Sequence, residues 1–138
     1  MTSVRCKLSS TNKYWISKHR YYELKHFCLQ YKEWKKHYCE MDIIAGGTDY
    51  SKIRTNTNKT TDYTADVAVR RMSYLEKIQM IEKAAMDADD VLYPYILKAV
   101  TEGLSYVYLK SSLDIPCGKD LYYDRYRRFF WLLDKLRE

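Results

Sequence analysis

Glycine and proline are scarce in this chain, which has 4 glycines and 2 prolines among its 138 residues. A β-sheet protein needs many tight turns, and these two residues supply most of them, so the scarcity argues against a sheet. It favours long helices without breaks. A chain of this length can bury one core without disulfides or metals. We therefore expect an all-α fold in a single domain over residues 1–138.

Long apolar segments are also missing. No run of 18 apolar residues is present, and the first residues lack the apolar segment of a signal peptide. Such segments are what membrane-spanning and secreted chains need. We therefore expect a cytoplasmic protein that makes no membrane contact.

Catalytic signatures are the third absence. The sequence contains no paired carboxylates, no Ser-His-Asp set, no glycine-rich phosphate loop and no spaced metal ligands. These patterns carry most hydrolytic, phosphoryl-transfer and metal-dependent chemistry. We expect that the protein is not an enzyme and has no cofactor.

Two His-x-Cys pairs suggest a zinc site, namely His26/Cys28 and His37/Cys39. On one continuous helix Cys28 and Cys39 would lie about 16 Å apart, too far for one metal ion or one disulfide. Within each pair, the two side chains point to different faces of a helix. We therefore expect free thiols and no metal at the four cysteines: Cys6, Cys28, Cys39 and Cys117.

Positive charge is concentrated towards the two ends of the chain, whose net charge is +6. Residues 1–60 carry 12 basic and 5 acidic side chains, residues 61–103 carry 5 and 8, and residues 104–138 carry 7 and 5. Basic regions favour a polyanionic partner, because cations neutralise phosphates and release counterions. The alternative is a basic surface that is only solvated.

A long helix is predicted near the N-terminus. Apolar residues recur at three- and four-residue steps from Tyr14 to about Glu40, with lysines between them, and Ser17 is an alternative start. Residues 1–13 are expected to be flexible, with a minor-groove arm as the alternative. The apolar stripe is expected in the core, with a groove for a partner as the alternative, and consists of Tyr22, Leu24, Phe27, Cys28, Tyr31, Trp34, Tyr38 and Met41.

A flexible linker is predicted over residues 45–61, because Gly46-Gly47 ends the first helix and no periodicity follows. Its basic residues Lys52, Arg54 and Lys59 could alternatively contact a nucleic-acid backbone. A second long helix is predicted from Thr61 or Asp62 to about Ala88. Its apolar faces contain Val67, Val69, Tyr74, Leu75, Ile78, Ile81 and Ala85.

The residue pattern of the C-terminal portion, residues 91–138, predicts a helix-turn-helix. A helix from about Val91 to Glu102 has Pro94 in its first turn, and Gly103 follows it as a left-handed residue. Ser105 is expected to cap a short helix over residues 106–113, which stops ahead of Pro116. The final helix is predicted from residues 116–119 to Leu136.

The final helix has one apolar face and one polar half. Tyr122, Tyr126, Phe129 and Leu133, with Phe130 beside them, form an apolar stripe that is expected in the core. The first turns of such a helix meet base edges in the major groove, where Arg can bind guanine and Lys or Tyr can bind phosphate. Asp120 and Asp124 argue against this use, and a helical hairpin with solvated arginines is the alternative. The candidate DNA-binding residues are Lys119, Tyr122, Tyr123, Arg127, Arg128 and Lys110.

Two segments carry a family resemblance: ILKAVTEGLSYVYLKSSLDIPCGKDLYYDRYRRFFWLLDK and RYYELKHFCLQYKEWKK. They resemble small prophage proteins of Gram-positive bacteria, and the layout is similar to the RinA/ArpU type of phage transcriptional regulator. The two segments cover under half of the chain. The resemblance implies long N-terminal helices and a C-terminal helix-turn-helix like that of sigma-factor region 4. One departure is the turn, where Pro116-Cys117-Gly118 replaces the usual polar cap.

The leading expectation is therefore a DNA-binding transcriptional regulator of phage or prophage genes, which binds double-stranded DNA with its last helix. It would act as a homodimer or on RNA polymerase or another host protein. One alternative is a phage-encoded module that inhibits or adapts a host complex, as anti-CRISPR proteins do, with Trp34 and Trp131 in its interface. Another is a small terminase-like DNA packaging factor.

Overall fold

The computed structural model describes residues 12–46 and 57–138, with side chains for residues 12–41 and 65–138. These residues contain helices and no strand, so the all-α prediction is confirmed. None of the described helices combines the length and apolarity needed to cross a bilayer. The helices are α1 (Lys18–Leu29), α2 (Tyr31–Gly46), α3 (Thr57–Ala88), α4 (Tyr93–Glu102), α5 (Tyr106–Leu113) and α6 (Lys119–Leu136).

The chain divides into two compact units. The larger unit comprises Met1–Tyr31 and Met80–Glu138, and the smaller unit comprises Lys32–Gln79. The candidate DNA-binding residues all belong to the larger unit. A single domain over the whole chain stays a prediction.

The single long helix predicted from Tyr14 to Glu40 is wrong, because α1 and α2 meet at Gln30. The Gln30 N–H donates to the Phe27 carbonyl at 3.2 Å, and its side-chain amide donates to the His26 carbonyl at 3.3 Å. These bonds satisfy carbonyls at the end of α1, which have no helical partner. The alternative start at Ser17 is confirmed, since its hydroxyl accepts the Arg20 N–H at 3.4 Å.

The buried face of α1 differs by one position from the predicted stripe. Tyr21 is 3% exposed, whereas Tyr22, the predicted core residue, is 38% exposed. Tyr21, Leu24 and Cys28 follow the three- and four-residue steps of one helix face, and all three are buried. The prediction placed Leu24, Phe27, Cys28, Tyr31 and Trp34 in the core, and they are buried.

The predicted linker over residues 45–61 has the wrong bounds, because α2 runs to Gly46 and α3 begins at Thr57. Residues 47–56, including Lys52 and Arg54, lie outside the described residues, as does the Lys59 side chain. The predicted flexible N-terminus likewise lies outside them as far as residue 11.

In the smaller unit, α2 and α3 run antiparallel and pack through aromatic rings. The Tyr74 ring stacks on His37 with centroids 5.5 Å apart, and the Arg71 guanidinium lies 4.4 Å from the Tyr38 ring centroid. Trp34 is 6% exposed and has the Lys77 ammonium 5.3 Å from its ring centroid. Trp34 is therefore a core residue, and its predicted place in an exposed interface is wrong. Val69, predicted on an apolar face of the second long helix, is 69% exposed.

In the larger unit, α1 packs against α4 and α6. The Tyr21 and Tyr126 hydroxyls are 3.0 Å apart, and the Tyr21 ring meets Phe130 edge-on with centroids 5.0 Å apart. The predicted apolar stripe of α6 is buried as expected: Tyr122, Tyr126, Phe129, Phe130 and Leu133. This burial fixes which half of α6 faces away from the core.

The helix boundaries near the C-terminus follow local chemistry. Gly103 has φ +70°, the left-handed conformation that the sequence predicted after α4. The Ser105 hydroxyl accepts the Tyr108 N–H at 3.2 Å and caps α5. The observed range of α5, Tyr106–Leu113, and the start of α6 at Lys119 both agree with the sequence. The N-cap of α6 is Gly118, which provides no side-chain hydrogen bond.

Candidate nucleic-acid interface

The α5 helix, a turn and α6 form the candidate interface. The turn is anchored by Ile115, which is fully buried, and by the Tyr106 hydroxyl, which donates to the Cys117 carbonyl at 2.9 Å. The Lys110 ammonium donates to the Ile115 carbonyl at 3.4 Å. Lys110 is also exposed, so its ammonium can reach solvent as well as the Ile115 carbonyl.

Three of the predicted residues lie along one side of α6. Lys119, Tyr123 and Arg127 are each four residues apart, and side chains at this spacing are neighbours on a helix surface. Lys119 is exposed, whereas Tyr123 and Arg127 are half-buried. The Lys119 ammonium lies 6.0 Å from the centroid of the Tyr123 ring. We call Lys119, Tyr123 and Arg127 the α6 stripe.

The structure does not place Tyr122 in this stripe. Tyr122 is 1% exposed, and its ring packs against Tyr106 and Tyr126 with centroid distances of 5.4 and 5.9 Å. It therefore has no surface with which to contact DNA, in agreement with its place in the predicted core face. Arg128 is half-buried, and its guanidinium donates to the Tyr14 hydroxyl at 3.4 Å.

The arginines of α6 differ in their partners. Arg125 bonds Asp89 at 3.1 Å and Asp124 at 2.8 Å, so its charge is balanced within the protein. Arg127 has no carboxylate partner among the described residues, and its Nε atom is buried without a hydrogen bond. Arg127 is thus the arginine in the α6 stripe whose charge remains available to a ligand.

The two aspartates that argue against DNA binding are not equivalent. Asp124 is paired with Arg125, which also pairs with Asp89 and therefore offsets the Asp124 charge only in part. Asp120 is exposed in the first turn of α6, where the helix dipole stabilises an anion. Asp120 therefore remains the acidic group beside the α6 stripe.

The Tyr123 hydroxyl stays protonated at neutral pH. Burial raises its pKa above the usual value, and the Arg127 charge acts in the opposite direction without reversing the shift. A protonated phenol can donate a hydrogen bond to an anionic oxygen. The α6 stripe therefore offers a lysine, a hydroxyl donor and an arginine.

The second half of α6 is occupied by other parts of the larger unit. Tyr14 packs edge-on against Trp131 with ring centroids 5.6 Å apart, and the Lys135 ammonium lies 3.4 Å from the Trp131 centroid. Asp134 accepts a hydrogen bond from Arg20 of α1. Sequence patterns could not indicate the contacts of Tyr14 with Trp131 and of Arg20 with Asp134, because these partners are more than a hundred residues apart.

The three cysteines in the described part of the chain are not arranged around a metal site. Cys28, Cys39 and Cys117 are free thiols, and Cys6 lies outside the described residues. Burial raises the pKa of the Cys28 thiol, which disfavours the thiolate that metals bind. In the described part of the chain, no three His, Cys, Asp or Glu side chains are grouped closely enough to hold a metal ion.

Comparison of the chain with protein families, with curated proteins and with solved structures finds no match.

Proposed function

We propose that this protein binds double-stranded DNA through α6 and regulates transcription of phage or prophage genes. The observation that carries the proposal is the α6 stripe, in which Lys119, Tyr123 and the unpaired Arg127 lie on one side of the helix. They stand in the first half of α6, the part that would enter the major groove in a helix-turn-helix protein.

A helix, whose diameter with side chains is about 10–12 Å, fits the width of a major groove. Lys119 and Arg127 are eight residues apart, which corresponds to about 12 Å along the helix axis. The major groove of B-DNA is about 12 Å wide and admits one helix. Arg127 can bind guanine through two parallel hydrogen bonds, while Lys119 and Tyr123 can bind flanking phosphates.

The charge arrangement also supports binding. Arg125 pairs with Asp89 and Asp124, so it weakens the negative charge that Asp124 presents to DNA. Lys119 and Arg127 then outnumber the unpaired Asp120. In this proposal Asp120 either accepts from a cytosine amine or stays in solvent.

Selection from a pool of random DNA duplexes, followed by fluorescence anisotropy, tests the proposal. We expect a recovered duplex to bind with an affinity whose logarithm falls linearly with the logarithm of salt concentration. Absence of any duplex binding at about 50 mM salt would show that the proposal is wrong. Light scattering of the protein bound to the same duplex measures its oligomeric state. This would distinguish the proposed homodimer from the ring of a packaging factor.

Exposed apolar residues on the same helices favour a second candidate, a module that binds a host protein. Val107 is 72% exposed, Tyr108 45% and Leu121 44%. Apolar and aromatic residues of this kind form the centres of protein interfaces. RNA polymerase is one partner that fits both candidates. A stoichiometric complex with a purified host protein, combined with absence of duplex binding, would favour this second candidate.

A further inference from the structure

A cavity of about 570 Å³ opens within the larger unit, between the C-terminal half of α1, the end of α4, the start of α5 and the first half of α6. Its volume falls within the range of small-molecule sites, about 300–1,000 Å³. Five tyrosines line it, which gives walls of aromatic rings with hydroxyl groups: Tyr106, Tyr108, Tyr122, Tyr123 and Tyr126. Such walls suit a planar aromatic ligand.

Three of these tyrosine hydroxyls make no hydrogen bond to a described residue, those of Tyr108, Tyr122 and Tyr123, and Tyr122 is the most deeply buried of the three. The Tyr126 hydroxyl is 3.0 Å from that of Tyr21, and the Tyr106 hydroxyl bonds the Cys117 carbonyl. The Tyr122 hydroxyl makes no hydrogen bond to any described residue, although the side chain is 1% exposed. Buried tyrosine hydroxyls normally have a hydrogen-bond partner. The Tyr122 hydroxyl is therefore free to form a hydrogen bond with a ligand atom that enters the cavity.

One charged residue contributes to the described lining, namely Lys25 of α1. Lys25 is half-buried and forms no ion pair with a described residue. An ammonium at the edge of an aromatic cavity favours an anionic group on the ligand, and charge-assisted hydrogen bonds are the stronger class. A carboxylate is the simplest planar anion that fits this position.

We infer that this cavity binds a small hydroxyaromatic carboxylate. The carboxylate pairs with the Lys25 ammonium, and the hydroxyl oxygen of the ligand accepts the hydrogen bond of Tyr122. The aromatic ring packs against Tyr106 and Tyr123. This site is independent of DNA, although Tyr123 belongs both to the cavity and to the α6 stripe.

Titration with para-hydroxybenzoate, followed by NMR chemical shifts of the isotopically labelled full chain without DNA, tests this site. We expect saturable binding with the largest shifts around Tyr106 and Tyr123. Lys25→Ala should weaken binding by about tenfold or more, the usual effect of losing a charge-assisted hydrogen bond. Tyr122→Phe, which removes only the hydroxyl, should weaken it by about fivefold.

Matched ligands and a matched variant separate this site from unspecific binding. Benzoate lacks the hydroxyl and should be insensitive to Tyr122→Phe, whereas phenol lacks the carboxylate and should be insensitive to Lys25→Ala. Lys98→Ala removes an exposed lysine of α4 that does not line the cavity and should bind as the unmodified chain does. Absence of saturation at millimolar para-hydroxybenzoate would overturn the inference. Unchanged affinity in either Lys25→Ala or Tyr122→Phe would overturn it as well.

Discussion

Arg125 donates its Nε–H to the Asp89 carboxylate at 3.1 Å, and this bond ties α6 to the segment between α3 and α4. The other oxygen of Asp89 accepts the N–H groups of Val91 and Leu92 at 2.8 and 2.9 Å. These N–H groups precede α4, where no helical carbonyl is available to them. One carboxylate thus both starts α4 and positions α6.

We predict that Asp89→Ala lowers the free energy of unfolding by about 2 kcal/mol, because it removes a capping group and a partly exposed ion pair. Asp89→Asn should cost less, since its amide oxygen can still accept the N–H groups. Urea denaturation followed by circular dichroism measures both changes. Asp90→Ala is the control, because Asp90 is exposed and should change stability by less than about 0.5 kcal/mol. Equal effects at the two positions would contradict the dual role of Asp89.

The hydrogen bonds of Asp89 also lead us to predict that the folded protein loses stability in acid. Burial acts to raise the pKa of Asp89, but the hydrogen bonds from Leu92, Val91 and Arg125 together outweigh burial and lower the pKa below the usual value. The folded chain therefore binds this proton more weakly than the unfolded chain, whose aspartates titrate near about 3.9. The contribution is present above that pH and is lost as pH falls through the folded pKa.

The acid dependence can be measured by urea unfolding at a series of pH values. Asp89→Asn carries no titrating group at this position, so its stability should decline less steeply below about pH 4. Asp90→Asn, at the exposed neighbouring position, should keep the full decline of the unmodified chain. If Asp89→Asn and the unmodified chain decline in parallel, the pKa of Asp89 is not lowered by folding.

Gly103 ends α4. We predict that substitutions at this position act through backbone conformation rather than through packing. Its φ of +70° is unfavourable for a residue with a Cβ atom, whereas the nearest atom to an added Cβ, Leu29 Cδ2, would lie at an ordinary 3.8 Å. We expect Gly103→Ala to destabilise the fold by about 1 kcal/mol. Gly103→Asn should cost less, because asparagine tolerates the left-handed region. Thermal unfolding of the two variants checks this order, and equal losses would indicate that steric contact dominates.

The C-terminal helices could be predicted from the sequence because their boundaries depend on neighbouring residues. Gly103, Ser105 and Pro116 fix the ends of α4 and α5 through backbone conformation and capping, which are local effects. The stripe from Tyr122 to Leu133 follows one helical period over three turns. Only one helix orientation buries all of these large rings, so the pattern had a single solution.

The N-terminal helices could not be predicted in the same way. The segment from Tyr14 to Glu40 has adjacent aromatic residues, Tyr21 and Tyr22, that fit two registers of one amphipathic pattern. Tertiary packing selects Tyr21, whose hydroxyl meets that of Tyr126 across the core. The break at Gln30 depends on hydrogen bonds that amino-acid periodicity does not encode.

The candidate interface was also only partly predictable. Periodicity placed Lys119, Tyr123 and Arg127 away from the apolar stripe. It could not show which arginine of α6 is neutralised, because the partner of Arg125, Asp89, lies 36 residues earlier in the chain. The Tyr122 hydroxyl and Lys25 meet the same cavity only because α1 folds back onto α6.

Arg127 and Lys119 should affect DNA binding differently. We predict that Arg127→Ala weakens binding to a selected duplex by about tenfold or more, since a bidentate contact to guanine contributes about 1–3 kcal/mol of discrimination. Its effect on unselected DNA should be smaller. Lys119→Ala should weaken selected and unselected duplexes alike and should reduce the slope of log affinity against log salt by about 1.

Lys83→Ala is the matched control for these variants, because Lys83 is an exposed cation of α3 in the larger unit and lies outside the α6 stripe. It removes one positive charge, as Arg127→Ala does, and should leave affinity for the selected duplex nearly unchanged. If Lys83→Ala and Arg127→Ala weaken binding equally, net charge governs the interaction and α6 does not read bases. A selective loss in Arg127→Ala requires instead that a particular guanidinium contacts a particular base pair.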